Sequence, residues 1–457
     1  MGWEEVGESR DSAWAWAGWG RIGWAARGAG HGGSIVAAMA APPVPAPAAS
    51  AWTARIDGLA TRLAARPLIA FLAIAAAGAM LYEFTVPERV SLDAFVPLAD
   101  AFLHGRLHVA EPMPWIEHVD RAGGGWFVPY PPMPAITVLP FVAIFGKGFD
   151  QGIASALIGG LNAAILWTLL GKMRVASLPR LALTLAFAVG SVHWWAAGLG
   201  TSWLFAGVNG VFFALLALWL ALDRRWPLVA GALLGCAAAS RLPVGLTAPL
   251  YLALFAGLAT APYLRRPDRA GVRAAGLFLA GVAVPAMLVA LYNVGRFGSP
   301  FDFGYEKIGG VLEEPWYRQG ILSLAYIPRH IEAIFFRGFD LVDGVFPYFR
   351  PNWMGLALTF STPIYFWLVN LRRDHTFAIY GSLAVVLALV PIVTHGNVGE
   401  AQFGYRFSLD VAPILFLLLG LVFRERLSRS ALLAILLGVL VNAYGVLAIT
   451  AMGFVSY

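Results

Sequence analysis

Long windows without a charged residue fill most of this chain, and they restrict its fold more than any other feature. An α-helix needs about 20 predominantly apolar residues to cross the hydrocarbon core of a bilayer. Only 13% of the residues are charged, whereas soluble domains carry roughly 25%. A water-soluble globule is therefore excluded, and the chain is predicted to be an all-α, polytopic integral membrane protein.

Eleven windows are candidate transmembrane helices. They cover residues 67–82, 151–171, 181–200, 201–222, 226–240, 242–264, 274–295, 351–371, 376–394, 411–423 and 430–456. The two windows on either side of Arg241 are separated by one charge, and the first of them is short. We therefore expect a broken or half-spanning helix at this junction rather than two regular helices.

The apolar stretch 131–146 contains four prolines and is too short for a regular span, so the charges decide its place. If it crossed the membrane, the basic residues of 172–180 would lie outside, against the positive-inside rule. If it lies at the outer interface or re-enters, all the short basic linkers face the cytoplasm. These linkers, 172–180, 223–225, 265–273, 372–374 and 424–429, hold 14 basic and 4 acidic residues.

The opposite face consists of three longer pieces, called here the first (87–130), second (295–352) and third (395–410) outer segments. Together they hold 10 basic and 15 acidic residues. This asymmetry predicts eleven spans with a cytoplasmic N-terminus and an outer C-terminus. Amphipathic patterns at 95–107 and 321–339 predict helices lying on the outer membrane surface. Long loops usually carry function, so any chemistry is expected outside.

The N-terminal part differs in composition from the rest of the chain. Residues 1–50 carry five tryptophans among many Gly and Ala, followed by a Pro/Ala tract, and they show no secretory signal pattern. They are predicted to be a disordered tail, with residues 51–457 forming the transmembrane domain. A second interpretation is that translation starts at Met39 rather than at Met1.

Several chemistries are excluded or disfavoured by the sequence. The single cysteine, Cys236, excludes an internal disulfide and a cysteine-based metal site. The net charge of +6 is interpreted as membrane orientation and not as nucleic-acid binding. No phosphate-binding glycine loop and no histidine pair at zinc spacing occur. His193, inside an apolar window, is interpreted as a hydrogen-bonded interior residue. No cofactor is predicted, although a divalent metal stays open.

Two carboxylates of the first outer segment are candidate catalytic residues. Asp93 lies where a membrane helix emerges and an amphipathic helix begins, so it can accept a proton from a bound hydroxyl group in a surface cavity. The alternative is that Asp93 only caps the following helix. Asp100, the next carboxylate along the chain, is the substitute candidate.

Arginines near the outer boundary are candidate phosphate ligands. Arg241 lies between two apolar windows beside Pro243, where it can bind a phosphate through paired N–H groups or instead reach the lipid headgroups. Arg406 and Asp410 are four residues apart, so on an α-helix they can pair, and such a pair also orients an arginine. Further candidate substrate contacts are Arg106, Tyr130, Tyr305, Glu400, Gln402 and Tyr405. For Tyr130 an aromatic belt is the simpler interpretation, and for Tyr305 a solvated loop.

The order of these motifs resembles a known family. One span, then Ser91-Leu92-Asp93 with LADAFLHGRL, YPPMPAITVLPFVAIFG, SRLPVGLTAP and QFGYRFSLDVAPIL, is similar to the GT-C superfamily of membrane glycosyltransferases. The likeness covers roughly residues 67–423 and points to the bacterial branch related to dolichyl-phosphate-mannose and aminoarabinose transferases.

The resemblance implies a polyprenyl-phosphate-linked sugar as donor and a glycan, lipid or protein as acceptor. It implies transfer on the outer face with inversion, Asp93 as the general base, Arg241 and Arg406 near the lipid phosphate, and an interfacial helix at 131–146. The rival class is a multi-span transporter or lipid flippase, which would need polar residues at mid-membrane and usually internal repeats. A third class is a non-catalytic membrane scaffold.

Overall fold

The computed structural model describes residues 51–86, 92–258, 267–344, 346–372 and 376–454. The part from Ala51 onward is one compact, mostly helical unit. The helices are α1 (Ala51–Ala64), α2 (Pro67–Phe84), α3 (Phe95–Leu103), α4 (Met133–Phe145), α5 (Gln151–Lys172), α6 (Ser177–Val189), α7 (His193–Leu199), α8 (Ser202–Leu222), α9 (Pro227–Ala238), α10 (Leu242–Gly245), α11 (Ala248–Phe255), α12 (Arg269–Phe297), α13 (Ile327–Phe335), α14 (Leu358–Ser361), α15 (Thr376–Val393), α16 (Ala412–Val422) and α17 (Arg429–Thr450).

Short strands and 3₁₀ helices connect these helices on one side. The strands are β1 (Val119–Asp120), β2 (Trp126–Phe127), β3 (Phe339–Leu341), β4 (Phe349–Pro351), β5 (Met354–Leu356) and β6 (Gln402–Gly404). β1 pairs with β2 and β3 with β4 in antiparallel hairpins, whereas β5 and β6 are parallel. The 3₁₀ helices are Gly146–Gly148, Tyr305–Lys307, Val311–Glu313, Pro315–Tyr317, Leu324–Tyr326, Pro363–Asn370 and Arg406–Asp410.

Six helices among the described residues are long and apolar enough to cross a membrane: α2, α5, α8, α12, α15 and α17. A seventh candidate is the pair α6 and α7, which bend by 49° at a short break. The windows around 226–240, 242–264 and 411–423 contain the shorter helices α9, α10 with α11, and α16. The chain therefore has the helices of a membrane protein.

The prediction of a regular helical span at 351–371 is wrong. This window begins in strand β4, continues through β5, and then forms the four-residue α14 and the 3₁₀ helix Pro363–Asn370. Pro363 follows α14 closely, and proline cannot donate the backbone hydrogen bond that would continue an α-helix. An apolar segment does not form a long α-helix where a residue lacks the backbone N–H that the next turn needs.

The expected break near Arg241 is confirmed. Helix α9 ends at Ala238, Arg241 has extended backbone angles, and Pro243 opens the short α10. The stretch 131–146 forms α4, a helix of 13 residues with Pro140 inside it, which is shorter than a full span. The two predicted amphipathic helices are present as α3 and α13. Their position on a membrane surface stays a prediction.

Three of the predicted inner linkers, 172–180, 223–225 and 424–429, are held close together at helix ends. Lys172 forms an ion pair with Asp223. The amide of Ala176 donates to the carbonyl of Arg424 at 2.8 Å, and the guanidinium of Arg224 donates to the carbonyl of Phe255 at 3.0 Å. The outer segments also contact one another: Arg296 donates to the carbonyl of Val128 at 2.5 Å, and Tyr317 lies 3.4 Å from His395.

Close helix packing and a buried polar chain hold the bundle. A Cβ at Gly160 of α5 would lie 2.2 Å from the carbonyl oxygen of Ala75 in α2, so only glycine permits this approach. His193 is fully buried. Its ring nitrogens lie 3.3 Å from the hydroxyl of Tyr82 and 3.3 Å from the amide of Asn162. The prediction of a hydrogen-bonded interior histidine is confirmed.

Some predictions concern residues outside the described ranges. They are the disordered tail of 1–50 with the choice between Met1 and Met39, the start of the first outer segment at 87–91, the ends of the windows 242–264 and 430–456, and parts of the linkers 265–273 and 372–374.

Candidate functional site

The first outer segment and the α4 end form one cavity, called here the first-segment cavity. Its volume is about 270 Å³. Asp93, Asp100 and Arg106 line it together with Glu111 and Lys147. The structure thus brings both candidate catalytic carboxylates and one predicted substrate contact to the same space.

Two of the three carboxylates that line this cavity, Asp100 and Glu111, are paired with basic side chains. Asp100 lies 3.8 Å from the guanidinium of Arg106 and 3.6 Å from the imidazole of His104. Glu111 forms an ion pair with Lys147. The helix after Asp93 has Ala94, not Asp93, as its N-cap residue. The cap interpretation of Asp93 is therefore wrong, and the backbone of Ala94 is held instead by the hydroxyl of Ser202 at 2.7 Å.

A hydrogen-bonded corner joins Asp93 to the second group of candidates. Ser202, which fixes the Leu92–Ala94 backbone, is the first residue of α8. The next residue, Trp203, donates its indole N–H to the hydroxyl of Tyr130 at 2.9 Å. That hydroxyl in turn donates to the carboxylate of Glu117 at 2.5 Å. The first two residues of α8 thus connect the backbone beside Asp93 to Tyr130 and Glu117.

Arg241 forms a two-bond ion pair with Asp410. Its Nε lies 3.0 Å from Oδ1 of Asp410, and a terminal nitrogen lies 2.8 Å from Oδ2. The carboxylate of Asp410 is almost completely buried, at 1% exposure. The expected i, i+4 pair of Arg406 with Asp410 is wrong, because Asp410 binds an arginine 169 residues away. A two-bond pair of this kind fixes the plane of the guanidinium.

Arg406 and Glu400 lie in the third outer segment, beside this pair. The guanidinium of Arg406 donates to the carbonyl of Glu400 at 2.9 Å and lies over the ring of Phe407. Burial raises the pKa of Glu400, and the nearby carboxylates of Glu314 and Glu117 raise it further. A hydrogen bond from Asn397 and the charge of Arg406 act in the opposite direction. Three carboxylates from three outer segments thus converge near one arginine.

Tyr305 belongs to a chain of hydrogen bonds rather than to a solvated loop. Its hydroxyl lies 3.0 Å from the hydroxyl of Tyr317, which lies 3.4 Å from Nε2 of His395. The Nδ1 of His395 lies 2.9 Å from the carbonyl of Asn397, which can only accept. The backbone N–H of Asn397 also donates to this Nδ1 at 3.3 Å. These contacts hold the His395 ring in place beside Tyr317, which in turn contacts Tyr305. Burial raises the pKa of Tyr305.

Two predicted substrate contacts support the site from behind. Gln402 is fully buried and its amide donates to the carbonyls of Met354 at 2.7 Å and Val398 at 3.0 Å. Tyr405 is 1% exposed, with its hydroxyl 2.7 Å from Nδ1 of His330. Both side chains hold the β5–β6 pair and α13 together, so they have a structural role behind the site.

The buried His330 gives the outer face a predicted sensitivity to acid. Its Nε2 lies 2.8 Å from the carbonyl of His395 and must donate, so Nδ1 accepts from Tyr405. Burial lowers the pKa of His330 from 6.5 to about 4. Because the unfolded chain binds this proton more readily, stability falls as the pH drops from about 6.5 towards about 4, by up to about 1.4 kcal/mol per pH unit.

We expect His330→Gln to flatten the fall of the unfolding temperature between pH 7 and pH 4.5. The matched control is His104→Gln, whose side chain is 63% exposed. Thermal unfolding followed by tryptophan fluorescence at several pH values measures both. An unchanged pH slope in His330→Gln would show that other groups cause the acid sensitivity.

Sequence reasoning missed four residues of this site: Glu117, Glu314, Asp410 as the partner of Arg241, and His395. The only sequence signal for Glu117 and Glu314 was their position in the outer segments. The third outer segment did stand out by its density of polar residues, and His395 and Asp410 are its first and last residues.

Among the described residues, no group of three or more His, Cys, Asp or Glu side chains is arranged to hold a metal ion. Comparison of the chain with protein-family models, with curated proteins and with solved structures finds no match.

Proposed function

We propose that the protein is a membrane glycosyltransferase that moves a sugar from a polyprenyl-phosphate donor to an acceptor on the outer face. The observation that carries this proposal is the meeting of two arginines, Arg241 and Arg406, with carboxylates at one end of an apolar helix bundle. A lipid-linked phosphate needs cations at the edge of an apolar environment. A sugar hydroxyl needs a carboxylate close to them.

The proposed topology has eleven crossings in a bacterial plasma membrane, with the N-terminus inside and the C-terminus outside. Short and broken helices at α9, α10 with α11, 358–370 and α16 account for the crossings that are not regular spans. The contacts among three of the basic linkers, 172–180, 223–225 and 424–429, support this arrangement. Interrupted helices at membrane depth are tolerated where they are buried in protein or line a cavity.

In the proposed reaction the phosphate of the donor lies against Arg241 and Arg406. Asp410 occupies Nε and one terminal nitrogen of Arg241, and a guanidinium has five N–H donors, so donors remain for a phosphate. Asp93 accepts the proton of the acceptor hydroxyl, whose oxygen attacks the anomeric carbon. The bond from that carbon to the phosphate oxygen breaks, polyprenyl phosphate leaves, and the configuration inverts. Positioning and the cations beside the departing phosphate supply most of the rate.

The function is tested with the purified protein in lipid nanodiscs and a radiolabelled polyprenyl-phospho-sugar with candidate glycan, lipid and protein acceptors. We expect Arg406→Gln to weaken donor binding roughly 10- to 100-fold, the value of a charge-assisted hydrogen bond to phosphate. The matched control is Arg318→Gln, an exposed arginine of the second outer segment. The measurements are the donor KM and direct binding of the labelled lipid.

The same assay separates the rival functions. A transporter or flippase would move the labelled lipid across proteoliposome membranes without breaking the sugar–phosphate bond. A scaffold would bind no donor, and Arg406→Gln would then behave like Arg318→Gln. Either result would overturn the glycosyltransferase proposal.

A further inference from the structure

The β3–β4 hairpin of the second outer segment exposes an unusual amount of apolar surface. Leu341 is 87% exposed, Phe346 is 76% exposed and Tyr348 is 59% exposed. Soluble surfaces rarely carry large aromatic and aliphatic side chains at such exposure in one place. These residues and the paired strands Phe339–Leu341 and Phe349–Pro351 are called here the aromatic hairpin.

The aromatic hairpin has two different faces. Side chains alternate across a strand, so Asp340 and Arg350, which lie opposite each other in the register, share one face. They form an ion pair at 3.9 Å, and Asn352 donates to Asp340 at 2.9 Å. The side chains of Phe339, Leu341 and Phe349 lie on the opposite face. The hairpin is therefore polar on one side and apolar on the other.

Its attachment to α17 sets the depth of the hairpin. The hydroxyl of Tyr444 donates to the carbonyl of Phe349. The Tyr444 ring lies 5.1 Å from that of Phe349 and 6.0 Å from that of Phe339. Tyr444 is six residues before the end of α17 at Thr450. At 1.5 Å per residue, the contact lies about 9 Å inside that end of the helix.

The helix face beside the hairpin is itself apolar and exposed. Leu440 and Leu447 are 57% and 52% exposed, and they lie four residues before and three residues after Tyr444 on the same face of α17. Because α17 is a candidate membrane span, this face has the chemistry of a lipid contact. The apolar face of the aromatic hairpin continues it.

We propose that the aromatic hairpin is inserted into the outer leaflet of the membrane and contacts lipid acyl chains. Non-helical backbone at membrane depth must have its polar groups satisfied, and the paired strands of the hairpin meet this requirement. The strands pair with each other, the amide of Val342 donates to the carbonyl of Tyr348 at 3.0 Å, and Tyr444 satisfies Phe349. The pair of Asp340 with Arg350 faces the protein and headgroup side.

The inserted hairpin would connect the lipid to the candidate site through the backbone. The hairpin leads through Asn352 into β5, which pairs with β6, and Arg406 follows β6 by two residues. The proposal rests on membrane integration of the chain and not on sugar transfer. Its test is therefore independent of catalytic activity.

Depth-dependent fluorescence quenching tests the proposal in the full chain. In a Cys236→Ala background, Phe346→Cys and Tyr348→Cys are labelled with an environment-sensitive fluorophore and placed in nanodiscs. The matched control is Glu306→Cys, an exposed position of the same outer segment outside the hairpin. The nanodisc phospholipids carry a nitroxide either near the headgroup or deep in the acyl chain.

We expect blue-shifted emission at positions 346 and 348, strong quenching by the acyl-chain nitroxides, and neither effect at position 306. Water-like emission at both hairpin positions would overturn the proposal. Shielded emission without quenching would overturn it as well, because a second copy of the chain, and not lipid, would then cover the hairpin. An unchanged unfolding temperature of each labelled variant shows that the fold is intact.

Discussion

Asp93→Asn is expected to lower the turnover of sugar transfer by about 10²- to 10⁴-fold, which is the usual contribution of a general base. The side chain keeps its size and its place in the first-segment cavity, beside Asp100 and Arg106. Only its ability to accept the proton of the acceptor is lost. Donor binding is expected to stay unchanged, because in the proposed reaction the phosphate is bound by arginines. Single-turnover kinetics and donor binding measure the two effects separately.

The matched control for this prediction is Asp120→Asn. Asp120 lies in the same outer segment, and its side chain is 89% exposed. It is expected to leave turnover unchanged. If Asp93→Asn kept full turnover while Glu117→Gln lost it, the base would be Glu117, which lies across the Trp203 corner from Asp93.

Asp410→Ala is expected to lower the free energy of unfolding by about 3–5 kcal/mol, since it leaves the Arg241 charge without its buried partner. Arg241→Ala is expected to cost a similar amount, because the carboxylate of Asp410 is only 1% exposed. An exposed ion pair provides the control. Lys307 lies 3.2 Å from Asp302 with its side chain 49% exposed, and Lys307→Met is expected to cost below about 1 kcal/mol.

The double variant Arg241→Met/Asp410→Leu separates stability from function. Replacing a buried pair with apolar side chains of similar volume is often neutral or stabilising. We therefore expect the double variant to recover most of the stability lost in each single variant and still to bind the donor poorly. Thermal and denaturant unfolding in detergent give the stability, and labelled-lipid binding gives the function. Additive losses in the double variant would refute a coupled pair.

The long helices could be predicted because their signal is local. Pro67, Gln151 and Ser202 begin α2, α5 and α8 at or next to the predicted window edges. The window 351–371 has the same apolar composition, but its first half pairs as β5 with β6, whose sequence lies almost fifty residues away. A strand of three residues is too short to show the two-residue period of a β-strand, so the apolar composition alone gave the wrong element.

The pairing of the charged residues failed for a similar reason. The spacing of Arg406 and Asp410 favours a pair only on an α-helix, where residues four apart share a face. The segment Arg406–Asp410 is a 3₁₀ helix, in which residues three apart eclipse and residues four apart point in different directions. Asp410 is thereby turned towards Arg241. The density of polar residues still identified the right segment.

The distance along the chain between Arg241 and Asp410 also sets an order of events during synthesis. The two residues are 169 positions apart, and ribosomes add about 5–20 residues per second. Arg241 is thus made roughly 10–30 s before its carboxylate exists. During that interval, one of the two proposed phosphate-binding arginines is not yet fixed in place. Under the proposed function, the growing chain would therefore have its donor site in the finished geometry only after the third outer segment has been made, near the end of biogenesis.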